Sequence, residues 1–192
     1  MDALRAGVID NTLKCNNLTK SLYQGIYPSD KLNSHICKKV PCAIVVNFDK
    51  HHEPGSHWIG IFVDRDRNVE YFDSYSRPVD ANKHIFKYLM SVIGNENYIK
   101  RLSGSSIQHN KTSVCGHYTI LFLLCRAKNI PFDVFSNTFE DQIYSGEYDS
   151  IVRDIVNQVI KKSTSNKSNT CVCNPNQVCK RKNECVLKRK YH

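Results

Sequence analysis

The chain has 192 residues, and its 27 Lys and Arg against 18 Asp and Glu give a net charge of +9. This length predicts one domain, or one domain with a tail, and allows a self-supporting core without disulfide staples. The composition argues against a disulfide scaffold and against wholesale disorder. The longest strongly apolar run, Tyr118 to Cys125, is far shorter than the roughly 20 residues that span a membrane.

The N-terminal sequence MDALRAGVIDNTLK has polar residues every few positions and lacks the apolar core of a signal peptide. We therefore expect a protein that is not secreted and does not enter a membrane. In a reducing compartment its nine cysteines are expected to stay thiols.

Hydrophobic periodicity predicts strands in the first half of the chain and helices in the second. An opening helix is expected over 3–13, followed by a turn-rich connection that contains Gly25 and Pro28. Continuous apolar runs predict buried strands over 42–48, 57–63 and 69–72. The charged turn DRDRN between the last two runs makes them a hairpin.

Helical spacing returns over 81–93, and a short strand is expected over 98–102. The run 115–127 is apolar on most sides, which predicts a helix buried in the middle of the domain. A last helix is expected over 148–161. Together these elements predict an α+β fold, with a mixed sheet of about five strands, the buried helix against it and further helices outside.

The positive charge is concentrated in the C-terminal tail. From Lys161 onward, nine Lys and Arg residues stand against the single acid Glu184. The tail opens with KKSTSNKSNT, which lacks the apolar residues needed for a core. We predict a boundary near Lys162, with a folded domain over 1–162 and a flexible, basic, cysteine-containing tail over 163–192.

Four cysteines of the tail are the candidate metal ligands: Cys171, Cys173, Cys179 and Cys185. Their C-x-C-x5-C-x5-C spacing differs from the paired C-x-x-C of common zinc sites. A zinc site, unpaired thiols and a disulfide to a partner peptide therefore all stay open. The basic residues are expected either to be solvated or to bind DNA phosphates in a salt-dependent manner.

The dipeptide Cys115-Gly116, at the start of the predicted buried helix, is the strongest candidate for a catalytic site. A helix N-terminus offers unpaired N–H groups and a positive dipole end, both of which favour a thiolate. The amide of Gln108 and the backbone N–H of Cys115 could form an oxyanion hole. His57 and Asp73 flank the predicted hairpin strands, whose antiparallel pairing brings them together as base and orienting acid.

Each of these residues alone has an ordinary structural interpretation, as a buried cysteine, a core histidine, a turn aspartate or a loop glutamine. Their joint order favours the catalytic interpretation. The other histidines near the motif have no assigned role and are expected on the surface or in loops: His51, His52, His109 and His117.

The ordered set His57-Trp58, Asp73, Gln108 and Cys115-Gly116 resembles the adenovirus-type (adenain-like) cysteine proteases, which mature virion precursors. It is also similar to the related SUMO and ubiquitin-like proteases, which usually place the glutamine one residue nearer the cysteine. The resemblance covers roughly residues 22–128. The best-known adenovirus enzymes carry glutamate as the acid, where this chain has aspartate.

This resemblance implies an adenain or ubiquitin-like-protease fold and a cysteine endopeptidase that cleaves viral capsid or core precursors after small residues such as glycine. It implies no cofactor for the chemistry, and activation by a viral peptide and by DNA. We expect a monomer in the virion and the host cell, in the nucleus or a cytoplasmic virus factory. A virus, a virophage or a virus-like mobile element would be the source.

Two other functions stay open from the sequence. A deconjugating protease would use the same residues to cleave the Gly-Gly tail of a folded ubiquitin-like modifier. A non-enzymatic nucleic-acid-binding or packaging protein would depend on the basic tail and would tolerate the loss of Cys115.

Overall fold

A mixed sheet with helices on both faces forms the described part of the chain. The computed structural model describes residues 3–93, 97–102, 104, 106–139, 147–165, 177–179 and 185–187. The helices are α1 (Ala6–Cys15), α2 (Lys83–Val92), α3 (Cys115–Ala127), α4 (Phe132–Asn137) and α5 (Glu147–Ser165). The strands are β1 (Tyr23–Pro28), β2 (Cys42–Asn47), β3 (Trp58–Val63), β4 (Val69–Phe72), β5 (Ile99–Arg101), β6 (Gln177–Cys179) and β7 (Cys185–Leu187).

The main sheet has five strands in the order β1-β2-β3-β4-β5, and β6 and β7 pair separately. The outer pairs, β1 with β2 and β4 with β5, are parallel. The inner pairs, β2 with β3 and β3 with β4, are antiparallel. The predicted α+β fold with a mixed five-stranded sheet and a buried cysteine helix is confirmed.

Both faces of the central strands are covered, which explains their continuous apolar sequence. On β2, Ala43 and Val45 pack in one core with residues of α1, α3 and α5. Their neighbours Ile44 and Val46 pack in a second core with residues of α2. All four side chains are fully buried. A strand covered on both faces needs no polar alternation, so the apolar run was a valid signal for β2.

The segment around Gly25 was expected to be a turn-rich connection, and this prediction was wrong. It is the edge strand β1, and its pairing with β2 shifts register between Tyr23 and Gly25. Gly25 has a φ of +129°, a conformation that glycine adopts readily. Pro28 ends the strand, where its missing N–H is tolerated. Gly and Pro here mark a bulged edge strand, which shares its residue types with turns.

Helix α4 is a further element that the sequence patterns did not predict. Pro131 precedes it, and its Phe132 and Phe135 rings pack on Phe122, with centroids 5.8 and 5.7 Å away. Strands β6 and β7, in the tail, were not predicted either. The remaining helices and strands, apart from β1, begin and end close to their predicted positions. Helix α5 continues to Ser165, and the predicted domain boundary at Lys162 stays a prediction. None of the helices in the described ranges has the length and apolar character of a membrane span.

Cys37 and Cys42 form a disulfide, so the expectation that every cysteine stays a thiol was wrong for this pair. Their Cα atoms lie 5.3 Å apart, because the loop before β2 folds back on itself. Both residues are buried. Within the described residues, Cys115 and Cys125 are free thiols.

Gly60 allows helix α3 to lie directly on strand β3. A Cβ at this position would lie 2.8 Å from Phe122 Cδ1, and the Phe122 ring is itself fully buried against Phe72. We expect Gly60→Ala to lower the free energy of unfolding by about 1–3 kcal/mol through overpacking, measured by chemical denaturation. Gly7→Ala is the matched control, because nothing lies within 4 Å of its added Cβ. Equal stability of the two variants would contradict this close approach.

Candidate active site

The predicted catalytic residues meet at one end of the sheet. His57 directly precedes β3, Asp73 directly follows β4, and Cys115 is the first residue of α3. The antiparallel register pairs Gly60 with Phe72, which places the start of β3 beside the end of β4. The hairpin argument from the sequence therefore located His57 and Asp73 correctly.

A buried hydrogen bond of 2.7 Å joins His57 Nε2 to Asp73 Oδ1, and each residue is only 1% exposed. The same carboxylate oxygen accepts the backbone N–H of Tyr75 at 2.8 Å, which fixes its orientation. A carboxylate acceptor requires the neutral imidazole to carry its proton on Nε2. The other ring nitrogen, Nδ1, is buried without a conventional hydrogen-bond partner among the described residues and interacts electrostatically with Cys115.

The environment of Cys115 favours its thiolate. Burial alone would raise the pKa of the thiol, but the interaction with the neighbouring His57 outweighs it. Backbone hydrogen bonds from Trp58 and Gly116 act in the same direction, so the pKa of Cys115 lies below its ordinary value. Burial would lower the pKa of His57, yet its hydrogen bond to Asp73 and its interaction with Cys115 raise the pKa. Both shifts favour the thiolate form of Cys115 and the imidazolium form of His57.

These opposite shifts predict the pH dependence of the thiol. A lowered pKa keeps Cys115 ionised at pH values where a free cysteine is protonated, and a raised pKa keeps His57 charged above its ordinary range. We expect iodoacetamide to alkylate Cys115 with a midpoint below that of free cysteine. In His57→Ala the pKa of Cys115 is still raised by burial, and only the backbone hydrogen bonds remain to lower it. The pH midpoint of alkylation should therefore move upward. An unchanged midpoint would contradict the pairing.

Gln108 also lies beside this cluster, and its side-chain amide is fully hydrogen-bonded to neighbouring residues. Nε2 donates to Thr112 O at 2.8 Å and to Tyr75 Oη at 3.0 Å. Oε1 accepts a hydrogen bond from Ser74 Oγ at 2.8 Å. Gln108 is buried, and its predicted place in the oxyanion hole stays a prediction.

A cleft of about 740 Å³ opens beside Cys115. Its walls include Trp58, Tyr75, the end of β1 and the N-terminal segment 3–6. The indole N–H of Trp58 donates to Leu4 O at 3.0 Å, which holds this segment against the site. A Cβ on Gly116 would lie 3.1 Å from Leu4 Cβ and 3.2 Å from Trp58 Cδ1. The backbone beside the sulfur is therefore closely packed.

Two features of the site were not predicted from the sequence. Tyr75 lies over the imidazole of His57, with ring centroids 4.8 Å apart. The available signal was its position two residues after Asp73, in the aromatic-rich YFDSYS. Asp149, on α5, is 2% exposed and accepts hydrogen bonds from Thr112 Oγ1 at 2.5 Å and Tyr118 Oη at 2.9 Å. It fixes the loop before Cys115 from a distant part of the chain.

The remaining histidines differ in their environments. His51 and His52 are exposed loop residues and His109 lies half-buried in a loop, as expected. His117 was expected on the surface or in a loop, but it is 2% exposed within α3. This prediction was wrong because His117 lies on a helix that is covered on nearly every side, and burial lowers its pKa.

One group of described side chains has the geometry to hold a metal ion. Asp30, His51 and His52 each offer a ligand atom within 4.8 Å of the others, and His51 also lines the cleft. His51 Nδ1 already lies 2.6 Å from Asp30 Oδ2, so a hydrogen bond accounts for that contact. The predicted zinc site (Cys171, Cys173, Cys179 and Cys185) and most of the basic tail lie outside the residues whose side chains are described. Zinc, DNA contact and peptide activation stay predictions.

The comparison with protein families matches residues 10–174 to the catalytic domain described as "Ulp1 protease family, C-terminal catalytic domain". The chain belongs to the Ulp1 protease family. Relatives of the chain are named cysteine and thiol proteases, and cysteine proteases of this family need no cofactor for the chemistry. The relation to SUMO proteases stated from the sequence is thereby supported, whereas the adenain-specific relation stays a prediction.

Viral proteins are among the relatives of this Ulp1-family chain. It is 27% identical over 118 residues to a cysteine protease of African swine fever virus, covering 58% of this chain and 42% of the relative. It is 32% identical over 111 residues to an Acanthamoeba polyphaga mimivirus protein named as a thiol protease, covering 52% and 35%. The chain thus spans less than half the length of both relatives.

Solved structures share the fold. The crystal structure of an African swine fever virus protease aligns with a TM-score of 0.52 at 19% identity, over 71% of this chain and 62% of that one. ChlaDub1 from Chlamydia trachomatis aligns with a TM-score of 0.58 at 16% identity, over 85% and 94%. At these identities the structures establish a shared fold alone.

Proposed function

We propose that this chain is an endopeptidase that cleaves viral capsid or core precursor polypeptides after small residues during virion maturation. The observation that carries the catalytic part is the buried 2.7 Å hydrogen bond between His57 and Asp73, with the second ring nitrogen of His57 left to interact with Cys115. A thiol, a base and a group that orients the base are the parts that covalent peptide hydrolysis requires.

In the proposed reaction, His57 holds the proton of Cys115, and the thiolate attacks the scissile carbonyl carbon. The carbonyl oxygen becomes an oxyanion, which hydrogen bonds from the backbone N–H of Cys115 and from a side chain would stabilise. The C–N bond then breaks, and the leaving amine takes the proton from His57. Water, deprotonated by His57, hydrolyses the thioester and restores the thiolate, while Asp73 orients the imidazole throughout.

The preference for a small residue follows from the resemblance to adenain-like proteases, which implies cleavage after small residues such as glycine. We place the protein in the virion and the host cell of a virus. The relatives from African swine fever virus and mimivirus support this viral source.

The second candidate is a deconjugating protease for a ubiquitin-like modifier. It is supported by the family itself and by a 26% identical African swine fever virus relative named a SUMO-1 cysteine protease. The non-enzymatic packaging function receives no such support, because the chain belongs to a protease family.

The two candidates are separated by offering both kinds of substrate to the full chain, with Cys115→Ala as the control for contaminating proteases. One substrate is a panel of unstructured peptides with glycine, alanine or leucine before the cleaved bond. The other is folded SUMO or ubiquitin with a C-terminal extension after its Gly-Gly tail. We expect cleavage of glycine-containing peptides and weak action on both modifiers. Efficient cleavage of a modifier with no action on peptides would favour the deconjugating function.

A further inference from the structure

Asp149 is a buried acidic residue that the proposed reaction does not use. It lies near the start of α5 and is 2% exposed. None of the ion pairs between described residues includes it. Burying a carboxyl group without a cationic partner is costly unless several hydrogen bonds satisfy its oxygens. The groups that donate to Asp149 therefore indicate its role.

Three donors from two neighbouring parts of the chain converge on this carboxyl group. Thr112 Oγ1 donates to Asp149 Oδ2 at 2.5 Å, and the backbone N–H of His109 donates to the same oxygen at 3.2 Å. Tyr118 Oη donates to the other oxygen, Oδ1, at 2.9 Å. His109 and Thr112 belong to the loop before Cys115, whereas Tyr118 lies on α3. Asp149 therefore joins that loop to the cysteine helix.

The hydrogen bonds on the loop side support Gln108. Gln108 directly precedes His109, and its side-chain amide donates to Thr112 O at 2.8 Å. Asp149 thus holds the residue that follows Gln108 and also the residue that accepts from its amide. Loss of these bonds would release the loop around Gln108, the predicted side-chain donor of the oxyanion hole.

The hydrogen bond on the helix side lies one turn from the nucleophile. Tyr118 is three residues after Cys115 on α3, and its side chain is fully buried. Its hydroxyl also lies 3.2 Å from Ile107 O, so Tyr118 reaches the same loop. The bond from Tyr118 to Asp149 therefore fixes the first turn of α3, which carries the backbone N–H of Cys115, relative to the loop.

We propose that Asp149 is a positioning residue, which holds Gln108 and the backbone N–H of Cys115 in the relative placement that lets both donate to one oxyanion. This inference rests on the proposed function, in which Cys115 attacks a peptide carbonyl. Asp149 contacts neither the substrate nor the sulfur, and it gains and loses no proton in the reaction. Its effect is geometric, and a misplacement of about 1 Å in a catalytic group can cost about 100-fold in rate.

Asp149→Asn tests the role, because it keeps the shape of the side chain and changes its hydrogen bonding. An amide accepts through its oxygen alone, so at least one of the three donors loses its acceptor. Asp154→Asn is the matched control, since it makes the same change of charge at an exposed position of α5.

Three measurements are made on the full chain: kcat and KM for a glycine-containing peptide, inhibition by a glycine-based peptide aldehyde, and alkylation of Cys115 by iodoacetamide. The aldehyde carbon bonds to the sulfur and its oxygen enters the oxyanion hole, whereas alkylation forms no oxyanion. For Asp149→Asn we expect kcat and aldehyde affinity to fall by about 10- to 100-fold, with KM and the alkylation rate close to wild type. Asp154→Asn should match the wild type in all three measurements.

A purely structural role for Asp149 predicts another pattern. Thermal unfolding would then occur at a lower temperature while kcat and aldehyde affinity of the folded Asp149→Asn stay unchanged, and this result would overturn the proposal. Alkylation slowed as much as turnover would also overturn it, because the sulfur itself would then be displaced.

Two further variants keep the proposal testable if Asp149→Asn does not fold. Thr112→Val and Tyr118→Phe each remove one hydroxyl that donates to the carboxyl group. Both should lower aldehyde affinity more than they lower the alkylation rate, and unchanged affinity in both would overturn the proposal. Alkylation of wild-type Cys115 that is unaffected by His57→Ala would instead contradict the proposed function itself.

Discussion

Cys115→Ala is expected to lose peptide hydrolysis down to background, a decrease of at least about 10⁴-fold in kcat. Among the residues whose side chains are described, the one other free thiol is Cys125, which lies ten residues along α3, too far along the helix to replace Cys115 beside His57. Turnover of a glycine-containing peptide by the purified full chain is the measurement, and circular dichroism checks that α3 still forms.

Cys125→Ala is the matched control for the loss of a thiol. It removes a half-buried cysteine of the same helix, whose pKa is raised by burial and which therefore stays protonated. Its activity should remain near that of the wild type. Activity retained by Cys115→Ala, or lost only in Cys125→Ala, would place the nucleophile elsewhere.

Asp73→Asn is expected to lower kcat/KM by up to about 10⁴-fold while the fold is kept. An amide that presents its N–H groups to His57 Nε2 favours the tautomer protonated on Nδ1, which could not accept the proton of Cys115. The imidazolium would also lose the carboxylate that now lies 2.7 Å away. Peptide turnover and thermal unfolding should be measured together.

Asp80→Asn, at an exposed position after β4, is the control for this change of charge. It should leave turnover unchanged. If Asp73→Asn unfolds the chain, Asp73→Glu is the substitute, because it keeps the carboxylate and should recover part of the activity. Full activity in a folded Asp73→Asn would show that another group orients His57.

The fold could be predicted where burial on both faces produced long apolar runs. Strands β2, β3 and β4 lie where the sequence placed them, and so does helix α3, which is buried between β3 and helices α1, α4 and α5. Strand β1 was missed because glycine and proline, here Gly25 and Pro28, occur both in turns and in bulged edge strands. The Cys37–Cys42 disulfide was missed because its formation depends on a loop path that periodicity does not encode.

The site could be predicted to the extent that its residues lie at the ends of predictable elements. His57, Asp73 and Cys115 flank β3, β4 and α3, and the antiparallel pairing of β3 with β4 brings the first two together. Gln108 was placed in the cluster from its spacing, but its hydrogen-bond partners were not foreseeable. Asp149 could not be predicted from the ends of neighbouring elements, because its contact with Thr112 joins residues 37 positions apart.

The activated pair of Cys115 and His57 is tested most directly by labelling with a glycine-based vinyl sulfone peptide, read by intact mass and peptide mapping. Wild type, Cys115→Ala and His57→Ala should be labelled side by side. The structure predicts rapid modification of Cys115 in the wild type, none at this site in Cys115→Ala and a large loss of rate in His57→Ala. Labelling of Cys115 at the same rate with and without His57 would contradict the account.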